Sequence, residues 1–328
     1  MGSESVKTIE NMLHQLVTKR MVPGVSYALM QGDCVQTEVF GASQWLPTKQ
    51  VLRPGMVYDL ASLTKVLGTT TVFLQALDAG LVFIDEPLRN HLPEFAPATT
   101  FGEALTHTSG LEGYIPHRDE LSAQALRQAL ITTLKPTGPK TVLYRDFNLL
   151  LVGWALENVY GAAIQDVITT RVLKPLHLAS ASFHPNIDDC VPTTYHDSRL
   201  LQGVVHDPKA RILGAHAGSA GLFAGLADLI AFTQYAFGQR QSAAWPKAFA
   251  GLLRDYAGGR SLGWDLRQDR LGQLWLYHTG YTGGFWLLQP QSQQALIVLT
   301  NRVHPVVNAD FLDARDEIVA QYLQNVVE

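Results

Sequence analysis

The chain has 328 residues, of which 47% are hydrophobic and 16% are charged. This length exceeds one average domain and the apolar content can fill a large core, which predicts two lobes and excludes intrinsic disorder. The 25 basic and 29 acidic side chains give a net charge of -4, so no positive field is available to hold a polyanion. Nucleic acid is therefore not expected as a partner.

The start of the chain predicts an amphipathic helix rather than a secretory signal. Residues 1–20 carry Glu4, Lys7 and Glu10 among regularly spaced apolar side chains. We therefore expect the chain as given to be cytoplasmic, or exported if a signal peptide has been removed. The longest apolar stretch, residues 149–156, has about half the length needed to cross a bilayer, so no transmembrane segment is predicted.

The first half of the chain predicts a hairpin followed by helices. Residues 24–30, a turn at Gly32-Asp33 and residues 35–40 have the pattern of two paired strands. Apolar residues from 63 to 77 follow helical spacing, and Gly80 is placed to end that helix. Residues 85–200 have helical patterns interrupted by prolines, with 148–159 the clearest.

Strand patterns return over 274–278, 284–288 and 295–300, and a helix is predicted over 308–327. The fold class is therefore α+β: one antiparallel sheet flanked by helices, formed by residues 1–84 and 201–328. Residues 85–200 are predicted to form an inserted, mostly α-helical lobe. A functional site is expected in the cleft between the lobes.

Several kinds of site are not supported by the motifs. Cys34 and Cys190 lie far apart without ligand spacing, which predicts two ordinary thiols and no metal site. The pairs His196-Asp197 and His206-Asp207 lack the spacing of a zinc helix, and surface or capping roles are expected for them. Neither a phosphate-binding glycine loop nor a G-x-S-x-G elbow is present, so we expect no cofactor and no α/β-hydrolase.

The most informative local motif is Ser62-Leu63-Thr64-Lys65 at the start of a predicted helix. At a spacing of three residues both side chains share one helix face, so the amine can reach the hydroxyl. Lys65 can serve as the base for a nucleophilic Ser62 only if burial or a nearby positive charge lowers its pKa. The same motif also fits an N-cap serine followed by a surface lysine.

Two tyrosine motifs could supply a proton-transferring phenol to this site. Tyr144-Arg145-Asp146 precedes the clearest helix, and Tyr195-His196-Asp197 is its competing copy. We favour Tyr144 because of the helix that follows it. For either residue, a packed aromatic with a satisfied hydroxyl is the alternative interpretation.

The segment His278-Thr279-Gly280-Tyr281 ends a predicted strand beside two further glycines. Small residues there allow a substrate backbone to lie along the strand. The N–H of Tyr281 could donate to an oxyanion, and His278 and Thr279 could contact a substrate carboxylate or Lys65. A polar strand end with a glycine bulge would have the same sequence.

Together these segments resemble the serine β-lactamase and penicillin-binding protein superfamily, in its class C-like branch of DD-peptidases, D-aminopeptidases and esterases. Motifs in matching order extend through nearly the whole chain, and they are 58–65, 105–111, 144–146, 205–208, 217–223 and 278–280. The resemblance implies a β-lactamase-like fold, with an antiparallel sheet and an inserted helical lobe.

The resemblance implies that Ser62 is the acylated nucleophile, Lys65 its proton acceptor and Tyr144 a proton shuttle. The backbone amides of Ser62 and Tyr281 would be the oxyanion donors. It also implies that the substrate-binding residues are Asp146, His278, Thr279, Gly280 and Tyr281.

Two residues depart from the family pattern. Asp146 stands where Asn is usual, so a carboxylate replaces an amide unless it is protonated or paired with a cation. His278 stands where the lactamases have Lys, and an imidazole is only partly charged near neutrality. Weak affinity for β-lactams is therefore expected.

The leading hypothesis is a serine hydrolase that forms an acyl-enzyme with a small-molecule or peptide substrate bearing a reactive carbonyl. Esters and D-amino-acid amides or peptides are expected substrates, with β-lactams hydrolysed weakly. The alternative is a catalytically weak or inactive ligand-binding protein of the same fold, for which Asp146 and His278 would account.

Overall fold

The computed structural model describes residues 2–326. The helices are α1 (Ser3–Thr18), α2 (Thr71–Asp78), α3 (Phe101–Leu105), α4 (Ala123–Thr133), α5 (Asp146–Tyr160), α6 (Ile164–Ile168), α7 (Pro208–Leu213), α8 (Leu226–Ala236) and α9 (Asp310–Gln324). The strands are β1 (Gly24–Gln31), β2 (Cys34–Gln44), β3 (Gln50–Val51), β4 (Val57–Asp59), β5 (Leu111–Glu112), β6 (Lys135–Pro136), β7 (Tyr195–His196), β8 (Arg199–Leu200), β9 (Phe223–Gly225), β10 (Asp265–Gln268), β11 (Leu274–Thr279), β12 (Phe285–Gln289) and β13 (Gln294–Thr300).

The main sheet joins the two ends of the chain. Its strand order is β10-β11-β12-β13-β1-β2-β3, and each neighbouring pair is antiparallel. The pairing of β1 with β13 places Val25 opposite Thr300 and Gln31 opposite Gln294. The predicted α+β fold with an antiparallel sheet is therefore confirmed.

Both faces of the sheet are buried, and the side-chain alternation of each strand divides its residues between two cores. In β13, Ala295, Ile297 and Leu299 belong to the larger core, which also contains α2, α5 and α8. The intervening Leu296 and Val298 belong to a second core under α1 and α9. Successive side chains of a strand point to opposite faces of the sheet. Because both faces are covered here, β13 is almost wholly apolar.

Several elements differ from the sequence predictions. The strand β10 was not predicted; it lies at the sheet edge and holds one apolar residue, Leu266, so it lacks a strand pattern. The first helix is α1 rather than 1–20, and the last is α9 rather than 308–327. Met1 and Val327, within those predictions, lie outside the described residues.

The segment between the sheet strands carries α3–α6 around a buried α5. Residues 148–156 of α5 are all buried, and the helix ends at Gly161, whose φ of 69° gives the left-handed conformation that glycine favours. The helix predicted over 148–159 is confirmed. The boundaries at 84/85 and 200/201 stay a prediction.

Among residues 2–326, no single helix is long and apolar enough to span a membrane. By length and composition alone, one pair passes the test together: α5 with residues 164–173, bent by 73° at their junction.

Replacing Trp286 by Ala should destabilise the protein by about 3–5 kcal/mol, because a large buried ring leaves a cavity. Trp286 is fully buried, meets Phe232 and Trp264 edge-on and donates from Nε1 to Thr233 Oγ1 at 3.2 Å. The matched control is Phe83→Ala, since Phe83 is 59% exposed and should change stability by about 0.5 kcal/mol or less. Urea unfolding followed by circular dichroism measures both, and equal losses would refute the assignment of Trp286 to the core.

Candidate active site

Ser62 lies on a constrained turn between β4 and the helix that follows. The preceding Ala61 has a φ of 45°, a left-handed conformation that costs energy for a residue with a side chain. Asp59 Oδ1 accepts a hydrogen bond from the Ala61 amide at 2.8 Å, and the other oxygen accepts from the His206 amide at 2.7 Å. Asp59 thereby fixes the turn that presents Ser62 at the start of the helix.

The predicted helix over 63–77 exists but begins irregularly. Residues Lys65–Thr70 form a π-helix, and α2 continues to Asp78. Gly80, with a φ of 69°, follows the helix end as predicted. π-helical turns occur mostly within α-helices and frequently at functional sites.

The amine of Lys65 contacts three oxygen atoms. Lys65 is 1% exposed, and its Nζ lies 2.7 Å from Ser62 Oγ. It also donates to the Ser219 carbonyl oxygen at 2.9 Å and lies 2.9 Å from Asp146 Oδ1. An ammonium has three N–H donors and no acceptor, so each of these contacts is a donation from Nζ.

This environment holds Lys65 in its charged form. Burial alone would lower the pKa of Lys65, but Tyr144 and Asp146 outweigh it by charge and hydrogen bonding, and the pKa lies above its ordinary value. The sequence-based expectation of an amine with a lowered pKa is therefore wrong for this state. The causes are Tyr144 and then Asp146, whose carboxylate lies 2.9 Å from the Lys65 amine.

Asp146 is itself paired with two cations. Its Oδ1 faces Lys65, and its Oδ2 lies 3.3 Å from Nζ of Lys209. Burial would raise the pKa of Asp146, but the two lysines hold it well below the usual range. The sequence left Asp146 either protonated or paired with a cation, and the structure shows it paired with two cations.

Tyr144 lies beside Lys65 and is held by His107. The Lys65 Nζ lies 5.3 Å from the centre of the Tyr144 ring, and the Cζ of Arg260 lies 5.6 Å from it. His107 packs on the ring at 4.4 Å, accepts from the Arg145 amide through Nδ1, and accepts from the Leu143 amide through its carbonyl oxygen. The backbone on both sides of Tyr144 is therefore fixed.

The competing tyrosine is not brought to this site. Tyr195 begins the short hairpin of β7 and β8, and its amide donates to the Pro305 carbonyl oxygen at 3.0 Å. The cleft is lined by Tyr144 and not by Tyr195. His196 and Asp197 of the same motif are more than 80% exposed, as expected for a surface pair.

The His278-Thr279-Gly280 segment lies against the Ser62 turn. A Cβ on Gly280 would stand 2.5 Å from the Leu60 carbonyl oxygen, so only glycine fits there. Thr282 Oγ1 donates to the Asp59 carbonyl oxygen at 2.7 Å. The chain after β11 therefore packs directly on the turn that carries Ser62.

His278 is buried and uncharged. Its Nδ1 is 2.9 Å from the Thr279 carbonyl oxygen, and burial, followed by the charges of Lys65 and Arg260, holds its pKa well below the ordinary value. Within the described residues its Nε2 has no hydrogen-bond partner. His278 therefore adds no positive charge for a substrate carboxylate.

Two amide groups beside this site remain available. Within residues 2–326, the backbone N–H groups of Ser62 and Tyr281 have no hydrogen-bond acceptor. Tyr281 is held by Arg302, whose Nε donates to its carbonyl oxygen at 2.8 Å, and by His206, which stacks on its ring at 5.6 Å.

These residues open into one cleft of about 1150 Å³. Its lining includes the residues singled out from the sequence together with additional cations, namely Ser62, Tyr144, Asp146, His278, Thr279, Tyr281, Arg118, Arg199, Lys209, Arg211 and Arg260. Lys65 lies beneath this surface in contact with Ser62.

Sequence reasoning missed four residues that shape the site: Asp59, His107, Lys209 and Arg260. His107 entered only within the motif 105–111, and its left-handed φ of 59° has no sequence signal because the residue is not glycine. The cap at Asp207 and the adjacent Pro208 could have indicated a helix start with Lys209 on it. For Arg260 no local pattern exists.

No group of three or more histidine, cysteine or acidic side chains within the described part of the chain is arranged to hold a metal. Cys34 is exposed, Cys190 is buried, and both are free thiols. Burial raises the pKa of Cys190 to about 12, so it is not a reactive nucleophile.

Comparison with known proteins identifies the family of the chain. The Beta-lactamase family model matches residues 9–321. A "Putative D-alanyl-D-alanine carboxypeptidase" of Escherichia coli (strain K12) is 24% identical, covering 77% of this chain and 70% of the relative. The chain belongs to the β-lactamase family, and it is a serine hydrolase of the β-lactamase and penicillin-binding type.

Solved structures show the same fold. "A class C beta-lactamase" superimposes with a TM-score of 0.82 and 18% identity, covering 99% of this chain and 97% of that one. A "Beta-Lactamase/D-Alanine Carboxypeptidase from Pseudomonas syringae" gives a TM-score of 0.80 with 18% identity, covering 99% and 100%. The resemblance stated from the motifs is therefore confirmed.

Replacing His107 by Gln should reduce the acid sensitivity of the fold. Burial first, then the charges of Arg260 and Lys65, lower the pKa of His107 to about 3, whereas an unfolded histidine titrates near ~6.5. The unfolded state thus binds the proton more readily, and this residue's contribution to stability is lost as the pH falls below ~6.5. From about pH 7 to about pH 5 the wild type should lose on the order of 2 kcal/mol relative to the variant.

Urea unfolding at a series of pH values measures that difference. The control is His117→Gln, since the His117 side chain is 78% exposed. Parallel stability curves for the wild type and His107→Gln would show that His107 is not held neutral.

Replacing Gly280 by Ala should lower kcat for ester hydrolysis by about 100-fold, because the segment must move away from the Ser62 turn and a shift of about 1 Å can cost that much. Gly251→Ala is the control, since its Cβ would meet only Tyr256 Oη at 3.9 Å. Equal rates for the two folded variants would contradict the close packing of residues 279–282 on the Ser62 turn.

Proposed function

We propose that the protein hydrolyses carbonyl substrates through an acyl-enzyme on Ser62. The observation that carries this proposal is the 2.7 Å contact between Ser62 Oγ and the buried Lys65 ammonium, at the edge of a cleft large enough for a peptide. A charge fixed beside the hydroxyl stabilises the oxygen as it loses its proton and attacks the carbonyl carbon.

The proton of Ser62 passes to the leaving group through Lys65 and Tyr144. Lys65 first loses one proton, and the amine so formed accepts the proton of Ser62 as Oγ attacks the carbonyl carbon. The renewed ammonium gives a proton to the phenolic oxygen of Tyr144, which gives its own proton to the departing oxygen or nitrogen. The proximity of Lys65 to the Tyr144 ring supports this path.

The amides of Ser62 and Tyr281 are the proposed oxyanion donors. Their free N–H groups lie on the two segments that Gly280 and Thr282 pack together. Backbone donors held in this way need little reorganisation when the carbonyl oxygen becomes negative. Water then cleaves the acyl-enzyme and regenerates Ser62.

We propose esters and D-amino-acid amides or peptides as substrates, with β-lactams hydrolysed weakly. The relative named a D-alanyl-D-alanine carboxypeptidase supports the peptide class. The neutral His278 supports the weak lactamase activity, because the third family motif here has no cation to attract the β-lactam carboxylate.

A fluorophosphonate probe followed by peptide mapping tests the acyl-enzyme. The wild type should be labelled on Ser62, and Ser62→Ala should lose both the label and the turnover. The control is Ser122→Ala, which removes only the cap of α4 and should remain labelled. Labelling that survives Ser62→Ala would refute the proposal.

Turnover of a nitrophenyl ester, a D-alanyl peptide and a chromogenic cephalosporin distinguishes the substrate classes. We expect the ester or the peptide to exceed the cephalosporin in kcat/KM. Faster cephalosporin hydrolysis would contradict the argument from His278. Binding of ligands without turnover of any of them would instead support the non-catalytic alternative.

A further inference from the structure

Four alternating charges extend from the nucleophile to α7. Lys65 contacts Asp146 Oδ1, Asp146 Oδ2 lies 3.3 Å from Lys209, and Lys209 lies 3.2 Å from Asp207 Oδ2. We call these residues the charge chain. The Lys65 side chain is 1% exposed and the Lys209 side chain is 15% exposed. Water and salt therefore screen the attraction between these charges only weakly.

The local sequence orients Lys209 towards Asp146. The carboxylate of Asp207 caps α7 by accepting from the Ala210 amide at 2.8 Å, and Pro208 occupies the first turn. Lys209 therefore follows directly after a fixed helix start. Its ammonium lies between two carboxylates and not in solvent.

We propose that Lys209 is a positioning residue of the reaction: it holds the second carboxylate oxygen of Asp146 and balances that charge while Lys65 passes on a proton. This inference rests on the proposed acyl-enzyme function. A cation is required beside the second carboxylate oxygen because residue 146 is Asp.

The physical reason is the charge that Asp146 places beside Lys65. When Lys65 gives up a proton, Asp146 loses its nearest counter-charge, and an unpaired carboxylate in a partly buried site is costly. With Lys209 in place, the carboxylate keeps a cation at hydrogen-bonding or ion-pair distance. Without Lys209, Asp146 binds the Lys65 ammonium alone and opposes its deprotonation.

Other charged or titratable groups surround the charge chain. They are Tyr144, Arg260 and His278 lining the cleft, the buried His107 packed on Tyr144, Asp59 and His206 beside Asp207, Arg211 on α7, and Arg118, Asp119 and Glu120 on the turn packed against α7. Burial raises the pKa of Asp59 to about 6, and this titration is common to every variant compared. Burial holds the pKa of His107 at about 3 and that of His278 well below its ordinary value, so neither histidine becomes charged near neutrality. Asp146 and Lys209 are therefore the pair to vary.

The experiment compares pH profiles of kcat/KM for ester hydrolysis by the full chain. Lys209→Met should move the acidic limb to higher pH by about one unit, the low end of a neighbouring charge effect. Near neutrality this leaves about tenfold less of the neutral amine and a comparable loss of rate. Lys209→Arg keeps the charge and should restore the wild-type limb.

The double variant Asp146→Asn with Lys209→Met separates this role from a structural one. Removing both charges should return the limb to the wild-type position or below it, so the two effects should be strongly non-additive. If Lys209 only held Asp207 in place, Lys209→Met would lower the rate, and adding Asp146→Asn would not restore it. The surface control is Lys140→Met, whose partner is Glu103 and whose side chain is 57% exposed.

The outcomes distinguish the inference from the function on which it rests. The role of Lys209 would be overturned if folded Lys209→Met kept the wild-type acidic limb of kcat/KM, or if the rate losses in the double variant were additive. Labelling of Ser62 in the wild type would be unaffected by either result. Absence of labelling and turnover in the wild type would instead overturn the proposed function. Urea unfolding verifies that each variant is folded.

Discussion

The buried charge of Lys65 is the constraint on which the site depends. An ammonium removed from water must find an acceptor for each of its donors, and here the three acceptors come from separate parts of the chain. They are Ser62 at the helix start, Asp146 at the first turn of α5, and the Ser219 carbonyl oxygen before β9. The Lys65 side chain therefore connects Ser62 to the helical segment and to the loop before β9.

Substitution of a single carboxylate for an amide explains much of what is particular to this member of the family. Tyr144 and Asp146 keep Lys65 charged in the resting state, and the Asp146 carboxylate also pairs with Lys209. His278, whose ring centre lies 6.2 Å from that of Tyr144, is neutral where the resemblance to the lactamases implies a cation. Positive charge in the cleft therefore comes from Lys65 beneath Ser62, from α7 and from arginines on other segments, while the His278 imidazole provides none.

Local sequence patterns predicted those strands and side-chain contacts that depend only on neighbouring residues. The alternation over 295–300 and the three-residue spacing of Ser62 and Lys65 led to the strand β13 and to a contact between the two side chains. The charge state of Lys65 could not be predicted in that way, because it depends on residues about 80 and 150 positions away that only the fold brings near. The same holds for β10, an edge strand without an apolar pattern, and for His107, whose left-handed backbone and contact with Tyr144 have no local sequence signal.

Neutron diffraction from a deuterium-exchanged crystal near neutral pH tests the central claim most directly, because it shows which atoms carry the deuterons. The account predicts three deuterons on Lys65 Nζ, directed at Ser62 Oγ, the Ser219 carbonyl oxygen and Asp146 Oδ1. Two deuterons on Nζ, with the Ser62 hydroxyl donating to the amine, would contradict it.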